Sequence, residues 1–289
     1  MTTKTKSRKA TSSRSGTSKP AWKVIKKFAI PETDIYTQAY TAYGNCDDWV
    51  YLIKGNVNYD WPDPTKVRMN LRVNLKTGEE EILDLPECTH YHFEGRIYST
   101  DHEWIKSRPH SRFFIDGMIV YKELISEALD RTLFREFGQW LLYVRRPILQ
   151  ESNLAVSMST DFQNWSRLID CEVELGEHER VYSFGIFRLN DELYGIGNLL
   201  GLTDYSMKPV LYKGESYFKW SKVCEMKFSK MFQSFGQIVI RDEEVLLTTI
   251  EVDREHTTAA NARKVKEFPY FSRIMTCSIE DFKRIYLKW

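Results

Sequence analysis

Two histidines and two serines are the side chains whose types and spacing could do chemistry. His90 and His92 alternate with aromatic residues, so in a strand both imidazoles lie on one face, where they could bind a metal ion. No third ligand accompanies them in the sequence, and histidines satisfied within a strand are the simpler interpretation. The sequence therefore predicts neither a metal site nor a cofactor.

The two serines, Ser183 and Ser234, stand 51 residues apart, and each is followed by Phe-Gly. A serine hydroxyl could serve as a nucleophile, but neither serine lies in a Gly-x-Ser-x-Gly sequence. The glycine two residues on, Gly185 or Gly236, instead favours close approach of the backbone at this position. P-loop and dinucleotide-binding patterns are also missing.

Positive charge is concentrated at the N-terminus. Residues 1–27 hold nine Lys or Arg and no acid, whereas residues 28–289 hold 32 basic and 40 acidic side chains. Residues 1–20 have too few apolar side chains to offset the entropy of ordering, so we expect a disordered basic tail over 1–27 and one domain over 28–289. A polyanion such as nucleic acid would be bound through phosphate contacts. The candidate contact residues are Lys4, Lys6, Arg8, Lys9 and Arg14.

A solubilising tail and a transit peptide are the alternative interpretations of this segment. No apolar segment follows the basic residues, as a secretory signal would require, and no run of about 18 apolar residues indicates a membrane span. The five cysteines are scattered, which favours free thiols in a reducing compartment. We expect an intracellular protein without a membrane partner, with association with a virion left open.

These residues must be positioned by elements that repeat along the chain. Residues 157–168 end an apolar run, turn polar at Asp161 and resume at Trp165. Weaker copies occur at residues 214–223, which contain Trp220, and at residues 99–104. Each copy indicates a strand, a tight turn and a tryptophan at the start of the next strand.

Short strands joined by tight turns are predicted throughout. Residues 67–75 alternate as a half-exposed strand does, and Asp116-Gly117 between two apolar runs predicts a hairpin. Residues 122–131 are the one segment with helical spacing. Units are expected to open near residues 138, 181 and 232, after two earlier ones.

Two offsets give the length of the repeat. The Ser-Phe-Gly sequences lie 51 residues apart, each followed by Asp-Glu at the same distance, and Trp165 and Trp220 lie 55 apart. A period of about 50 residues with four strands each is typical of propeller blades, which stack around an axis because no blade buries both faces alone. Five such units fit the chain. A virion-type jelly roll would also be all-β, but it requires no such repeat.

The best-formed unit resembles a known family. Residues 139–144 followed by 154–161 and Trp165 are similar to a blade of the five-bladed β-propeller glycosidases, among them arabinanases, β-xylosidases, levansucrases and invertases. The Ser-x-Asp-x-x-x-Trp ending also resembles the Asp-box of sialidases. The resemblance covers the third to fifth units and implies an all-β, five-bladed β-propeller behind the disordered basic tail.

The resemblance also implies catalytic carboxylates on the innermost strands, one acting as acid and another as base or nucleophile. Asp48 precedes the expected first strand of the first unit, Glu136 the inner strand of the third, and Glu179 that of the fourth. The invertase-type Arg-Asp-Pro triplet is missing. Polar and aromatic residues near these positions and near the two serines complete a candidate substrate-binding set. Its members are Asp47, His90, His92, Arg135, Arg180, Tyr182, Ser183, Gln233 and Ser234.

The favoured function is binding of a carbohydrate or protein partner at the central face, because the family's catalytic set is incomplete. The first alternative is an intracellular glycoside hydrolase or phosphorylase that uses Asp48, Glu136 and Glu179. The second is a structural or virion-type scaffold whose basic arm holds nucleic acid.

Overall fold

A computed structural model describes the chain in eleven segments, and all statements below concern them. They are residues 22–29, 35–38, 49–56, 68–83, 89–105, 108–123, 129–146, 154–203, 206–226, 234–251 and 271–288.

These residues form 21 strands in five sheets. The first sheet contains β2 (Ile35–Gln38), β3 (Trp49–Asn56), β4 (Arg68–Asn74) and β5 (Glu80–Leu83). The second contains β6 (Thr89–Phe93), β7 (Arg96–Ile105), β8 (Arg108–Ile115) and β9 (Met118–Glu123). The third contains β10 (Leu129–Glu136), β11 (Gln139–Arg145), β12 (Leu154–Ser159) and β13 (Ile169–Asp170).

The last two sheets include strands from elsewhere in the chain. The fourth contains β15 (Glu179–Leu189), β16 (Glu192–Gly201), β17 (Met207–Ser216) and β18 (Lys219–Glu225), with β14 (Glu172–Val173) added in parallel outside β18. The fifth contains β19 (Ser234–Arg241), β20 (Glu244–Glu251) and β21 (Phe271–Ser278), with β1 (Lys23–Ala29) as its fourth strand. The number of sheets equals the number of units expected from the repeat.

The first strands of the second, third and fourth sheets run in the same direction. Near the end of β10, the Arg135 guanidinium lies 3.9 Å from the centre of the Phe93 ring at the end of β6. At the same end, Glu136 contacts Arg188 near the end of β15. We call the side where these strands end and turn the hairpin face, and the side where they begin the N-terminal face.

The apolar core lies between sheets and forms three clusters. Trp140 and Leu142 of β11 pack toward the second sheet, whereas Leu141 and Tyr143 of the same strand pack toward the fourth. A third cluster joins the fourth sheet to the fifth and includes Phe187. Sheets that bury both faces against neighbours are what the repeat predicted, since a lone four-stranded sheet cannot cover its own apolar faces.

The first and the last described segments meet at the fifth sheet. After β21 the chain continues as a short helix, α1 (Ile279–Phe282), and a π-helical turn at Lys283–Leu287. The indole of Trp22 donates to the Tyr286 hydroxyl at 3.1 Å, just before β1 pairs with β21. The tail assigned to residues 1–27 therefore extends too far, because β1 begins at Lys23. Residues 1–21 lie outside the described segments.

Three other expectations are corrected. The helix predicted at residues 122–131 is wrong at both ends, where β9 and β10 lie instead, and residues 124–128 are outside the described segments. The third sheet begins at Leu129, earlier than expected, and α1 has no counterpart among the predicted elements. The hairpin at Asp116-Gly117 is confirmed, with positive φ angles of 51° and 80°.

The repeated tryptophans occupy corresponding places in two of the three copies. Trp165 lies between β12 and β13, and Trp220 is the second residue of β18, so both lie where the third strand of a sheet passes to the fourth. Each also packs toward the preceding sheet, Trp165 stacking on Phe113 at 4.8 Å between ring centres. Trp104 instead lies near the end of β7, the second strand of its sheet. The prediction that residues 99–104 are a third copy of this unit is therefore wrong.

Candidate functional site

Glu136 lies at the hairpin face, where two residues of the next sheet surround its carboxylate. The Arg188 guanidinium donates from Nε to Oε1 and from Nη2 to Oε2, the latter at 3.1 Å. The Tyr217 hydroxyl donates to Oε2. The Glu136 side chain is only 8 % exposed, and it ends the innermost strand of the third sheet rather than preceding it.

Tyr217, in the turn between β17 and β18, extends this contact. Burial, followed by its hydrogen bond to Glu136, raises the Tyr217 pKa to about 12, so the hydroxyl remains a donor at neutral pH. The backbone carbonyl of Tyr217 accepts from the Tyr143 hydroxyl at 2.9 Å. Side chains of the third and fourth sheets are thus joined by an ion pair and two hydrogen bonds.

Glu179 begins β15 and is turned toward the outer strands of its own sheet. Its Oε2 accepts from the Gly176 backbone N–H at 2.9 Å. Lys208 of β17 and Lys222 of β18 approach the carboxylate at 3.9 and 3.8 Å. These contacts satisfy Glu179 within the fourth sheet.

The structure does not bring Glu136 and Glu179 together. Glu136 contacts Arg188, and Arg188 lies nine positions along β15 from Glu179. At about 3.3 Å per residue those two Cα atoms are roughly 30 Å apart, whereas paired glycosidase carboxylates lie about 5–10 Å apart. The two glutamates therefore cannot act on one glycosidic bond.

Three other candidates lie outside the described segments, and three more are located by the backbone of their strands. Asp47, Asp48 and Gln233 are outside the described segments. The strand that follows Asp48 is β3, the second of its sheet, so the expectation that it would be the first is wrong. His90 and His92 are placed in β6 and Ser234 at the start of β19 by their backbones alone.

The remaining candidates divide between the two faces. Arg135 covers the Phe93 ring near the hairpin face and is part of the aromatic packing there. Arg180 and Tyr182 lie in the first residues of β15, at the N-terminal face. The Arg145 guanidinium lies 4.6 Å from the centre of the Tyr182 ring. One terminal nitrogen of Arg180, Nη1, is buried without a hydrogen-bond partner among the described residues.

Ser183 is joined to a buried amide that the sequence did not suggest. Asn198 of β16 is fully buried and donates from Nδ2 to the Ser183 hydroxyl at 2.9 Å. Its Oδ1 accepts no hydrogen bond from any described group. Buried amide oxygens without a partner are uncommon in proteins, and they mark places where a water or a ligand donates.

The two serines share one local feature of the backbone. The pairing of β15 with β16 shifts register between Val181 and Ser183, and that of β19 with β20 shifts between Phe235 and Ile238. Such bulges redirect a side chain at the edge of a sheet and are frequent near functional sites. The shared Ser-Phe-Gly sequence thus predicted an equivalent position in the two sheets.

Residues 157–168 form a structural turn at the hairpin face. The Asp161 carboxylate accepts from the backbone N–H groups of Asn164 at 2.7 Å and Gln163 at 2.9 Å. These bonds and that of the Asn164 side-chain amide hold the Asp161 pKa well below its usual range. Phe162 is fully buried with a positive φ of 65°, so the turn anchors the third sheet to the second.

The residues that sequence reasoning missed are Arg188, Tyr217 and Asn198. Arg188 and Tyr217 are separated from Glu136 by 52 and 81 positions, and no local motif marks their meeting. Asn198 stands in an apolar strand, Glu192–Gly201, and a polar residue within such a run was the available signal.

Comparison with solved structures establishes the fold. The structure has the β-propeller fold of the glycosidases of families GH43, GH62 and GH32. No protein-family model and no curated protein matches the chain.

Three solved structures illustrate the similarity. A GH43_1 enzyme from Xanthomonas citri matches with a TM-score of 0.56 and 12 % identity, over 90 % of each chain. The catalytic domain of a GH62 α-L-arabinofuranosidase from Coprinopsis cinerea gives 0.57 and 8 %, over 89 % of this chain and 98 % of that domain. Sucrose-6-phosphate hydrolase from Lactobacillus gasseri gives 0.54 and 12 %, over 82 % of this chain and 58 % of that enzyme. Identities this low establish the fold alone.

The helical residues described, α1 and the π-helical turn, are too few to form a membrane-crossing helix.

Proposed function

We propose that this chain is a binding module of glycosidase-like fold whose ligand is a carbohydrate held at the N-terminal face. The observation that carries the proposal is the pair of Asn198 and Ser183, with a buried amide oxygen that accepts no hydrogen bond from the described residues. A sugar hydroxyl is both donor and acceptor, so it can donate to this oxygen and accept from Arg180 nearby.

Binding is favoured over catalysis because the described carboxylates are engaged elsewhere. Glu136 is held by Arg188 and Tyr217 at the hairpin face, and Glu179 is directed toward Lys208 and Lys222. Neither contacts the other, and the contacts of Glu179 are with Gly176, Lys208 and Lys222 rather than with Ser183 or Asn198.

Calorimetric titration with neutral oligosaccharides of xylose, arabinose, galactose and fructose tests the proposal. We expect at least one class to bind the wild type, and Ser183→Ala to weaken that binding about tenfold by removing one hydrogen-bonding group. Thr276→Val is the matched control, because it removes a buried hydroxyl of β21 that has no described partner and is not part of the proposed site. Absence of binding by every sugar, or equal losses in the two variants, would contradict the proposal and leave a protein partner as the ligand.

Sugar hydrolysis is the second candidate function, and the solved structures favour it because they are mostly enzymes. Because Glu136 and Glu179 do not form a pair, hydrolysis would need at least one further carboxylate. Asp48 remains one candidate, and Asp34 is another because it immediately precedes β2, the first strand of the first sheet. Release of reducing sugar that is abolished by Asp34→Asn or Asp48→Asn would establish hydrolysis in place of simple binding.

Binding of nucleic acid or another polyanion through the basic N-terminus is a separate candidate, and with it an intracellular or virion-associated location. It is supported by the absence of acidic residues from the first 27 positions. Removal of residues 1–20 should abolish salt-sensitive binding to a single-stranded oligonucleotide. Binding that persists unchanged after the truncation would exclude this role.

A further inference from the structure

Arg180 is a cation that the described part of the chain does not neutralise. Its Nη1 atom is buried without a hydrogen-bond partner, and no described residue forms an ion pair with it. Glu179, its neighbour in the chain, points to the other side of β15, because successive side chains of a strand alternate between its two faces. The Glu179 carboxylate lies near Lys208 and Lys222 instead. The Arg180 guanidinium therefore lacks a counter-ion among the described residues.

The pairing of β15 with β16 places Arg180 beside the buried amide. Arg180 lies opposite Leu200, and Ser183 lies opposite Asn198, two positions earlier in β16. Positions two apart in a strand share one face and lie about 7 Å apart, which is within the reach of an arginine side chain. Arg180, Ser183 and Asn198 therefore share one face of the fourth sheet.

This face is turned toward the fifth sheet. Tyr194 and Ile196, which precede Asn198 at alternate positions of β16, belong to the cluster that joins the fourth sheet to the fifth. The first strand of the fifth sheet, β19, packs against β15 and β16. Asn198 is fully buried there, whereas Arg180 is partly exposed. These polar side chains thus extend from the interior between two sheets to the solvent at the N-terminal face.

The two groups without described partners require opposite kinds of partner. The Oδ1 atom of Asn198 is an acceptor, so its partner must donate a hydrogen bond, whereas the Arg180 guanidinium can only donate. A hydroxyl suits the amide oxygen. An anionic oxygen suits the guanidinium, because a buried cationic group is costly unless an anion compensates it. A neutral sugar supplies only the hydroxyl, and a sugar that carries an anionic group supplies both.

We propose that the ligand of the carbohydrate site is an acidic sugar, whose anionic group pairs with Arg180 while a ring hydroxyl donates to Asn198. This inference rests on the proposed function and narrows it to sugars that carry a carboxylate or a phosphate. Arg180 determines the preference for the acidic form, whereas Ser183 and Asn198 contact acidic and neutral sugars alike.

Calorimetric titration with acidic sugars and their uncharged counterparts tests the proposal. Tetragalacturonate and its methyl ester differ in the charge of the carboxylates, and galactose 6-phosphate and galactose differ in the phosphate. In at least one pair we expect the wild type to bind the acidic form at least about tenfold more tightly, because its bond to Arg180 is charge-assisted. Added salt should reduce this ratio. The pair that shows the preference identifies the anionic group.

Substitutions of Arg180 separate the charge from the rest of the site. Arg180→Gln should bring the ratio of the two affinities close to one, whereas Arg180→Lys should retain most of it. Ser183→Ala should weaken the binding of both forms by the same factor and leave the ratio unchanged. Lys208→Gln is the matched control, because Lys208 lies opposite Leu199 on the other face of the fourth sheet and its loss should not alter the ratio.

Two results would overturn the proposal and leave the carbohydrate site intact. The first is equal affinity for the acidic and neutral members of both pairs. The second is an equal loss of the preference in Arg180→Gln and Lys208→Gln, since the preference would then reflect the overall charge of the N-terminal face. If no sugar bound, acidic or neutral, the proposed function itself would be refuted.

Discussion

The two ends of β15 use polar residues in opposite ways. At its C-terminal end, Arg188 finds a carboxylate in the neighbouring sheet and a backbone carbonyl in its own, so its charge is compensated by the protein. At its N-terminal end, Arg180 and the adjacent Asn198 each have a buried polar atom without a described partner. Polar groups that are hydrogen-bonded across two sheets hold those sheets together. Buried polar groups without a hydrogen-bond partner in the protein are suited to bind a ligand that supplies one.

Replacement of the Glu136 carboxylate, which pairs with Arg188 at the C-terminal end of β15, should have the largest effect on stability. Glu136→Gln keeps the shape of the side chain but leaves Arg188 without its counter-ion in a mostly buried contact. We expect the free energy of unfolding to fall by about 2 kcal/mol, measured by urea denaturation. Glu215→Gln, which breaks the exposed pair with Lys219, should leave it almost unchanged.

The carbohydrate affinity of Glu136→Gln tests which end of β15 binds the ligand. If Glu136→Gln abolished carbohydrate binding and left the free energy of unfolding intact, the hairpin face would carry the ligand site, and the distinction drawn here would be wrong.

At the N-terminal end of β15, a substitution should change ligand affinity more than stability. Asn198→Leu replaces a buried amide, whose oxygen has no described partner, with an apolar side chain of similar size. We expect the free energy of unfolding to change by less than about 1 kcal/mol, because the cost of burying that oxygen is removed together with one hydrogen bond. Affinity for the oligosaccharide should fall at least tenfold by the same calorimetry. A large loss of stability with unchanged affinity would make Asn198 a structural residue.

The pH dependence of stability should report the turn at Asp161, which also lies at the hairpin face. Hydrogen bonds from Asn164 and Gln163 lower the Asp161 pKa, so its contribution is present above the unfolded-state value near 4 and is lost as the pH falls toward the lower folded value. Asp161→Ala should lower the unfolding midpoint by a few degrees at pH 7. The gap to the wild type should stay constant down to about pH 5 and narrow below about pH 4.

Thr160→Ala, at an exposed neighbouring residue without an ionisable group, should show no such narrowing. A gap between Asp161→Ala and the wild type that widened in acid would mean that the carboxylate is not held by these bonds.

The sequence was sufficient for the elements that local chemistry determines. Strict alternation predicted β4, the Asp-Gly pair predicted the turn between β8 and β9, and the Ser-Phe-Gly repeat located two equivalent first strands. Trp165 and Trp220 both lie where the third strand of a sheet passes to the fourth, as their shared pattern predicted. Each of these signals lies within a few residues of the element that it describes.

Local sequence signals could not predict the candidate site, because the site depends on contacts between sheets. The sequence singled out Glu136 as an acid beside a strand, but its environment is created by Arg188 and Tyr217 from the next sheet. The helix predicted at residues 122–131 failed for a related reason, since apolar residues at helical spacing also suit strands that are covered on both faces. Tertiary pairing decided between the two structures.

The smallest expected effect concerns the Cys171 thiol, which probes the contact at the hairpin face. Burial raises its pKa to about 12, and its Sγ lies 3.8 Å from the Tyr217 carbonyl oxygen. At pH 8 the thiolate is therefore scarce, and alkylation by iodoacetamide, followed by mass spectrometry, should be slow in the folded wild type and fast in urea.

Glu136→Gln should raise the alkylation rate of Cys171 severalfold, because loss of the bond to Tyr217 loosens the turn that covers the thiol. Cys277, which is buried in the cluster between the fourth and fifth sheets, is the internal control and should react equally slowly in both proteins. An equal increase at both cysteines would indicate opening of the whole domain, and no increase at Cys171 would mean that the ion pair does not hold this turn in place.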